Sequence, residues 1–173
     1  MSEIPVIETE RLRLRGHRVE DLPGCAAMWG NPAVTRYIGG RPFTQEEVWA
    51  RLLRYVGHWT LLGFGFWLIE EKATGRFVGE AGLAEFQREI EPAIRVPEMG
   101  WVLVPEFHGK GYATEAVRAA AAWGDANLGG SRTVCIIHPE NEASKRVAAR
   151  CEYREMPPAT YRGATTLMYE RGV

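Results

Sequence analysis

The residues Glu98 to Ala113, EMGWVLVPEFHGKGYA, run an apolar stretch directly into a glycine-rich turn that opens an alanine-rich helix. The chemistry this combination supports is anion binding. The first four N–H groups of a helix have no intrahelical partner, and the aligned peptide dipoles add partial positive charge, so a phosphate is a natural guest. Gly109 and Gly111 keep the turn free of Cβ atoms, which lets a pyrophosphate approach the main chain, and Lys110 adds a cation at the same point. From Thr114 and Glu115 the helix carries Ala113, Ala116, Val117, Ala120 and Trp123 on one face. Two other phosphate motifs fail: a dinucleotide fingerprint would need glycine at Thr114, and no P-loop pattern G-x-x-x-x-G-K-[ST] occurs.

The hexapeptide His108-Gly109-Lys110-Gly111-Tyr112-Ala113 resembles the acyl-coenzyme A loop of the GNAT N-acetyltransferases, Gln/Arg-x-x-Gly-x-Gly/Ala, with histidine in the first position. Three more stretches resemble the ribosomal-protein-alanine N-acetyltransferase (RimJ/RimL-like) branch of that superfamily. These are Glu8 to Arg15 with Val19-Glu20-Asp21-Leu22, then Phe64–Glu71 and Phe77–Leu83 around a Thr74-Gly75 turn, and finally Asn141-Glu142-Ala143-Ser144, an Asn-x-x-Ser segment. The resemblance runs nearly the whole chain, in order. It implies one acetyltransferase domain over residues 1–173, an α/β (α+β) fold with a single mixed, strongly twisted sheet of about seven strands, helices on both faces, and two parallel strands that splay apart to admit the cofactor.

The splayed strands would be Met99–Val104 and Thr133–His138. An opened ladder leaves N–H and C=O groups needing partners, which the amides of pantetheine supply. The resemblance therefore assigns acetyl-CoA to Val102, Leu103, Val104, His108, Gly109, Lys110, Gly111, Tyr112, Ala113, Thr114, Asn141 and Ser144, with the N–H of Leu103 or Val102 polarising the thioester carbonyl. The acceptor is a primary amine that must lose a proton, since an ammonium has no lone pair. Glu98, on the face of its strand shared with Gly100 and Val102, is the first candidate base, with Glu80 or a water relay as alternatives. Many relatives protonate the departing thiolate with a tyrosine seven residues after Asn141, but Ala148 stands there. Ser144 is the substitute, with Tyr153, Tyr161 and Tyr169 as further donors. Asn141 and Ser144 also suit a plain helix cap.

Local signals place strands near 5–15, 64–71, 77–87, 94–104, 132–138, 153–157 and 165–171, and helices near 19–29, 44–58, 109–126 and 143–151. Thr44 with Glu47 three residues on forms a capping box. The resemblance also makes the first two helices and their loop the acceptor wall, with Trp29, Tyr37, Phe43 and Trp59 as lining candidates. Met156 to Gly163 would form the opposite rim and a homodimer contact, since dimers are common among relatives.

Composition narrows the rest. At 173 residues, 46% hydrophobic and 25% charged, the chain reads as one ordinary globular domain. A net charge of −1 offers no basic face for nucleic acid. No apolar run nears the roughly 20 residues of a bilayer span, and the first residues are no secretory signal, so a cytoplasmic protein without membrane attachment is expected. Cys25, Cys135 and Cys151 lack C-x-x-C spacing, and the four histidines form no ligand pair, so no metal is expected. No cysteine or serine stands with a histidine base, which points to direct transfer of acetyl. The acceptor reads as a protein N-terminus of the ribosomal-protein type. A small-molecule amine (aminoglycoside, polyamine or amino acid) is the alternative within the enzyme class, and a non-catalytic acyl-CoA-binding module the alternative outside it.

Overall fold

The computed structural model describes residues 4–130 and 132–172. Among the described residues nine strands form one sheet: β1 Ile7–Glu8, β2 Leu12–Arg15, β3 Phe66–Glu71, β4 Phe77–Ala84, β5 Ile90–Glu91, β6 Glu98–Leu103, β7 Thr133–Ile137, β8 Arg154–Tyr161 and β9 Ala164–Arg171. Their spatial order is β1-β2-β3-β4-β6-β7-β9-β8-β5. Neighbours are antiparallel except β6 and β7. The helices are α1 Leu22–Trp29, α2 Pro32–Thr35, α3 Gln45–Leu62, α4 Tyr112–Asn127 and α5 Glu142–Arg150.

The sheet separates two apolar layers. On one face Trp67, Ile69, Leu83, Met99 and Leu103 pack against Ala116, Val117, Ala120 and Ala121 of α4. On the other, Leu68 and Val102 meet Cys25, Met28 and Trp29 of α1 and Val48 of α3. Alternation along the strands produces this division. One irregularity matters for the site: Ile69 pairs with Gly79 but Glu70 with Phe77, so Val78 is an extra residue in β4. Val78 stays in the α4 layer, and Glu80 is turned to the α1–α3 face.

The elements differ from the sequence reading at their ends. The sheet holds nine strands rather than about seven, because the first strand is divided by a turn at Thr9, whose N–H bonds the Leu12 carbonyl at 2.9 Å, and because β5 adds a two-residue edge. Helix α3 continues through Gly57 to a left-handed cap at Gly63, with the capping box at its start: Glu47 N–H donates to Thr44 Oγ1 at 3.2 Å and Thr44 N–H to Glu47 Oε2 at 2.8 Å. The rim segment from Met156 belongs to β8, which runs on to Tyr161 rather than ending near 157. A bulge between Met156 and Ala159 absorbs Pro157 and Pro158, which have no N–H for the ladder.

Candidate active site

Strands β6 and β7 meet at a single pair, Glu98 with Val134, whereas β6 stays in register with β4 from Ala84–Glu98 through Gly79–Leu103. Beyond Glu98 the two parallel strands separate. Val104 N–H donates to the Val78 carbonyl at 2.9 Å, so the main-chain groups of residues 102 and 104 face β4 and those of Trp101 and Leu103 face the opening. Of the two amides open at the sequence level, that of Leu103 is the one directed into the gap.

The gap ends at the glycine turn. After a 3₁₀ turn at Pro105–Phe107, Gly109 and Gly111 adopt φ of +74° and +80°, a left-handed conformation that a Cβ would strain. Gly111 is the N-cap of α4, and as glycine it has no side chain to satisfy the first-turn amides of Tyr112, Ala113 and Thr114. The cradle therefore presents free donors at the positive end of a sixteen-residue helix. Arg11 buttresses it: Nη1 donates to the Lys110 carbonyl at 2.9 Å, Nε to Glu115 Oε2 at 2.7 Å, and the guanidinium lies 4.5 Å from the Tyr112 ring centre. His108, the departure from the resembled motif, donates from Nε2 to the Leu103 carbonyl at 2.9 Å, which fixes the proton on that nitrogen. Beyond β7, Asn141 Oδ1 caps α5 by accepting the Ser144 N–H at 3.1 Å, and the Ser144 hydroxyl bonds no other described residue.

Both carboxylates singled out in the sequence lie on the α1–α3 face and are buried, in different company. Glu98 sits where β6 and β7 part, held by Arg88 through Nε–Oε2 at 2.7 Å and Nη2–Oε1 at 2.8 Å. Arg88 also donates to the Tyr161 hydroxyl at 3.1 Å. Glu80 is 1% exposed, with Oε1 3.1 Å from His17 Nε2 and Oε2 accepting the Trp29 indole N–H at 3.0 Å. Burial pushes the Glu80 carboxyl up, but the hydrogen bonds and charge of His17 and the Trp29 bond outweigh it, so the pKa lies below the ordinary value.

The model of the acetyltransferase (GNAT) domain matches residues 11–154. The chain belongs to the GNAT acetyltransferases. It is 31% identical over 137 residues to the uncharacterized N-acetyltransferase p20 of Bacillus licheniformis, covering 79% of this chain and 75% of that one. An acetyltransferase from Agrobacterium tumefaciens str. C58 superposes with a TM-score of 0.85 at 28% identity, over 99% of this chain and 96% of that one. RimL, the ribosomal L7/L12 alpha-N-protein acetyltransferase, solved in complex with coenzyme A, shares the fold with a TM-score of 0.79 at 19% identity, over 98% of each chain. GNAT enzymes use acetyl-CoA, and the opened edge of β6 and the uncapped start of α4 fit its pantetheine amides and pyrophosphate.

As a GNAT site, this one also shows what its other side chains do. Trp59 does not line an acceptor wall: its ring packs edge-on to Trp67 and Trp123 in the α4 layer, and its N–H bonds the Phe66 carbonyl. Trp29 and Phe43 stack at 5.3 Å, and Tyr37 lies 5.0 Å from His138 just past β7. Tyr153 is buried against Thr133 Oγ1 at 2.7 Å, and Tyr169 is buried opposite Cys135. Sequence reasoning did not single out Arg88 or His17, which hold the two candidate carboxylates. Each reaches its partner across the fold, and only the bulge that aims Glu80 brings His17 and Trp29 to it. His17, Cys25 and Glu80 also place potential ligand atoms within 4.8 Å of one another, but both Glu80 oxygens are already hydrogen-bonded. Among the described residues no helix is long and apolar enough to cross a membrane.

Proposed function

We propose that this enzyme transfers acetyl from acetyl-CoA directly to the α-amine of a protein or peptide N-terminus. The gap between β6 and β7 carries the reading, with the Leu103 main chain turned into it. Bound acetyl-CoA supplies an acetyl group activated as a thioester. The Leu103 N–H donates to the carbonyl oxygen as negative charge builds there, and the cradle from Gly109 to Thr114 holds the phosphates. Val102 and Val104 fix the strand against β4, while His108 braces the Leu103 carbonyl.

Glu98 removes the amine proton through water. Arg88 occupies one lone pair on each Glu98 oxygen, leaving others for that water. Ser144 hydrogen-bonds the departing sulfur from the start of α5, which Asn141 caps. Direct transfer is supported by the state of the thiols. Burial, with the charge of Glu80, pushes Cys25 up; burial and Glu98 push Cys135 up; burial raises Cys151 to about 11. None offers a thiolate nucleophile near neutral pH. The choice of a protein N-terminus is supported by the fold shared with RimL and with the ribosomal-protein-S5-alanine acetyltransferase of Vibrio fischeri, at 20% identity.

Free-thiol release measured over N-terminal peptides, aminoglycosides, polyamines and amino acids tests the proposal. Turnover of peptides, lost in Glu98→Gln and Ser144→Ala proteins that still bind coenzyme A, is the expected result. Turnover confined to polyamines or aminoglycosides would contradict it.

A further inference from the structure

The α1–α3 face carries a row of guanidinium groups seated on aromatic rings. Arg51 lies 4.0 Å from the Trp29 ring centre and 5.0 Å from that of Phe43, and its Nη1 reaches the Tyr55 hydroxyl at 3.3 Å. Arg54, one turn along α3, lies 5.2 Å from the Phe86 ring, whose other cation is Arg88 at 4.5 Å. The row runs from Trp29, which bonds Glu80, to Arg88, which bonds Glu98 beside the cofactor gap.

The charge balance at Arg51 is unlike that at the other half-buried arginines. Arg51 is half-buried, and among the described residues every other half-buried arginine faces a carboxylate: Arg15 has Asp21 and Glu70, Arg88 has Glu98, and Arg171 has Asp125, while Arg54 lies exposed beside it. Neither Arg51 nor Arg54 has one within salt-bridge distance, and Arg51 Nε is buried without a hydrogen-bond partner. An unsatisfied buried donor on a cation costs free energy that a ligand can recover. A guanidinium stacked on a ring keeps its in-plane N–H groups free for a carboxylate.

We infer that the acceptor carries carboxylate groups close to its reactive amine, and that Arg51 and Arg54 bind them. This rests on the acetyltransferase reading above and narrows its acceptor. Side chains near a peptide N-terminus are the source that agrees with the proposed acceptor; the α-carboxylate of a free amino acid would keep the carboxylate recognition and replace that acceptor, and the experiment separates the two.

Calorimetry on the coenzyme A-bound protein would compare peptides with aspartate or glutamate at the second to fourth positions, their asparagine or glutamine counterparts, and free glutamate. Tenfold or greater preference for a carboxylate ligand over its amide is expected, weakening with salt. That preference should collapse in Arg51→Gln and Arg54→Gln, be partly retained in Arg54→Lys, and leave coenzyme A affinity unchanged, which confirms the fold. Tighter binding of the acidic peptide, or of free glutamate, names the source. Equal binding of acid and amide, or a preference that survives both substitutions, would overturn the inference. Arginine-dependent binding with no acetyl transfer to any carboxylate-bearing amine would sustain the recognition of carboxylates and refute the proposed reaction instead.

Discussion

In the proposed reaction, the donor side and the acceptor side of this site are built from different materials. The donor side is main chain: an open strand edge at Trp101 and Leu103, two left-handed glycines and the bare first turn of α4. The acceptor side is side chain: Glu98 with Arg88 and the arginines of α3 on their rings, on the same sheet face as the buried Glu80 with His17 and Trp29. A backbone cradle recognises what every acyl-CoA shares and tolerates most changes of side chain, while the acceptor wall can be rewritten residue by residue. Substitutions on the two sides should therefore separate cleanly into cofactor affinity on one and stability, turnover or acceptor choice on the other.

The largest effect is expected at Glu80. Replacing it by Gln leaves the fully buried His17 and Trp29 groups without their anion, and should lower the unfolding free energy by about 3–5 kcal/mol in a denaturant titration. The pH dependence follows from the depressed native pKa. The unfolded state binds the proton more readily, so the stabilisation is present above the unfolded carboxylate value of about 4.3 and is lost as pH falls through the lower native one. Glu80→Gln should flatten that acid limb. An unchanged limb would remove Glu80 as its source.

Gly111→Val tests the other side. A β-branched residue at φ of +80° is strained, and its Cβ would stand 3.4 Å from Arg11 Nη2, which buttresses the turn. Coenzyme A affinity should fall about 100-fold, roughly 2.8 kcal/mol, with the acceptor-side aromatics undisturbed. Glu98→Gln should reduce kcat by about 100-fold, the low end for a general base, without moving the coenzyme A Kd. A matching loss of cofactor affinity would place Glu98 in the donor site instead. The smallest effect belongs to His108→Ala, which removes one hydrogen bond to the Leu103 carbonyl, worth about 1 kcal/mol, or several-fold in coenzyme A affinity.

The same contrast decides what could be read from the sequence. Gly109 and Gly111 are legible because the left-handed turn needs glycine, and the apolar run before them because a strand must feed it. Thr44 and Glu47 likewise announce the start of α3. The separation of β6 from β7 has no local signal, since Trp101 and Leu103 look like any central strand and only pairing shows their free edge. Glu98 and Glu80 were visible as carboxylates, but their partners lie on other elements, at sequence separations of 10 for Arg88 and 63 for His17. The bulge at Val78 that decides which face Glu80 occupies shifts every later residue of β4 by one, and a period-2 reading of the sequence does not see it.

Backbone amide shifts recorded by NMR during a coenzyme A titration test the central claim most directly. The largest changes should fall on Leu103 and on Tyr112, Ala113 and Thr114, with Val102 and Val104, committed to β4, moving little. Changes concentrated away from β6 and the start of α4, or no binding at all, would contradict the account.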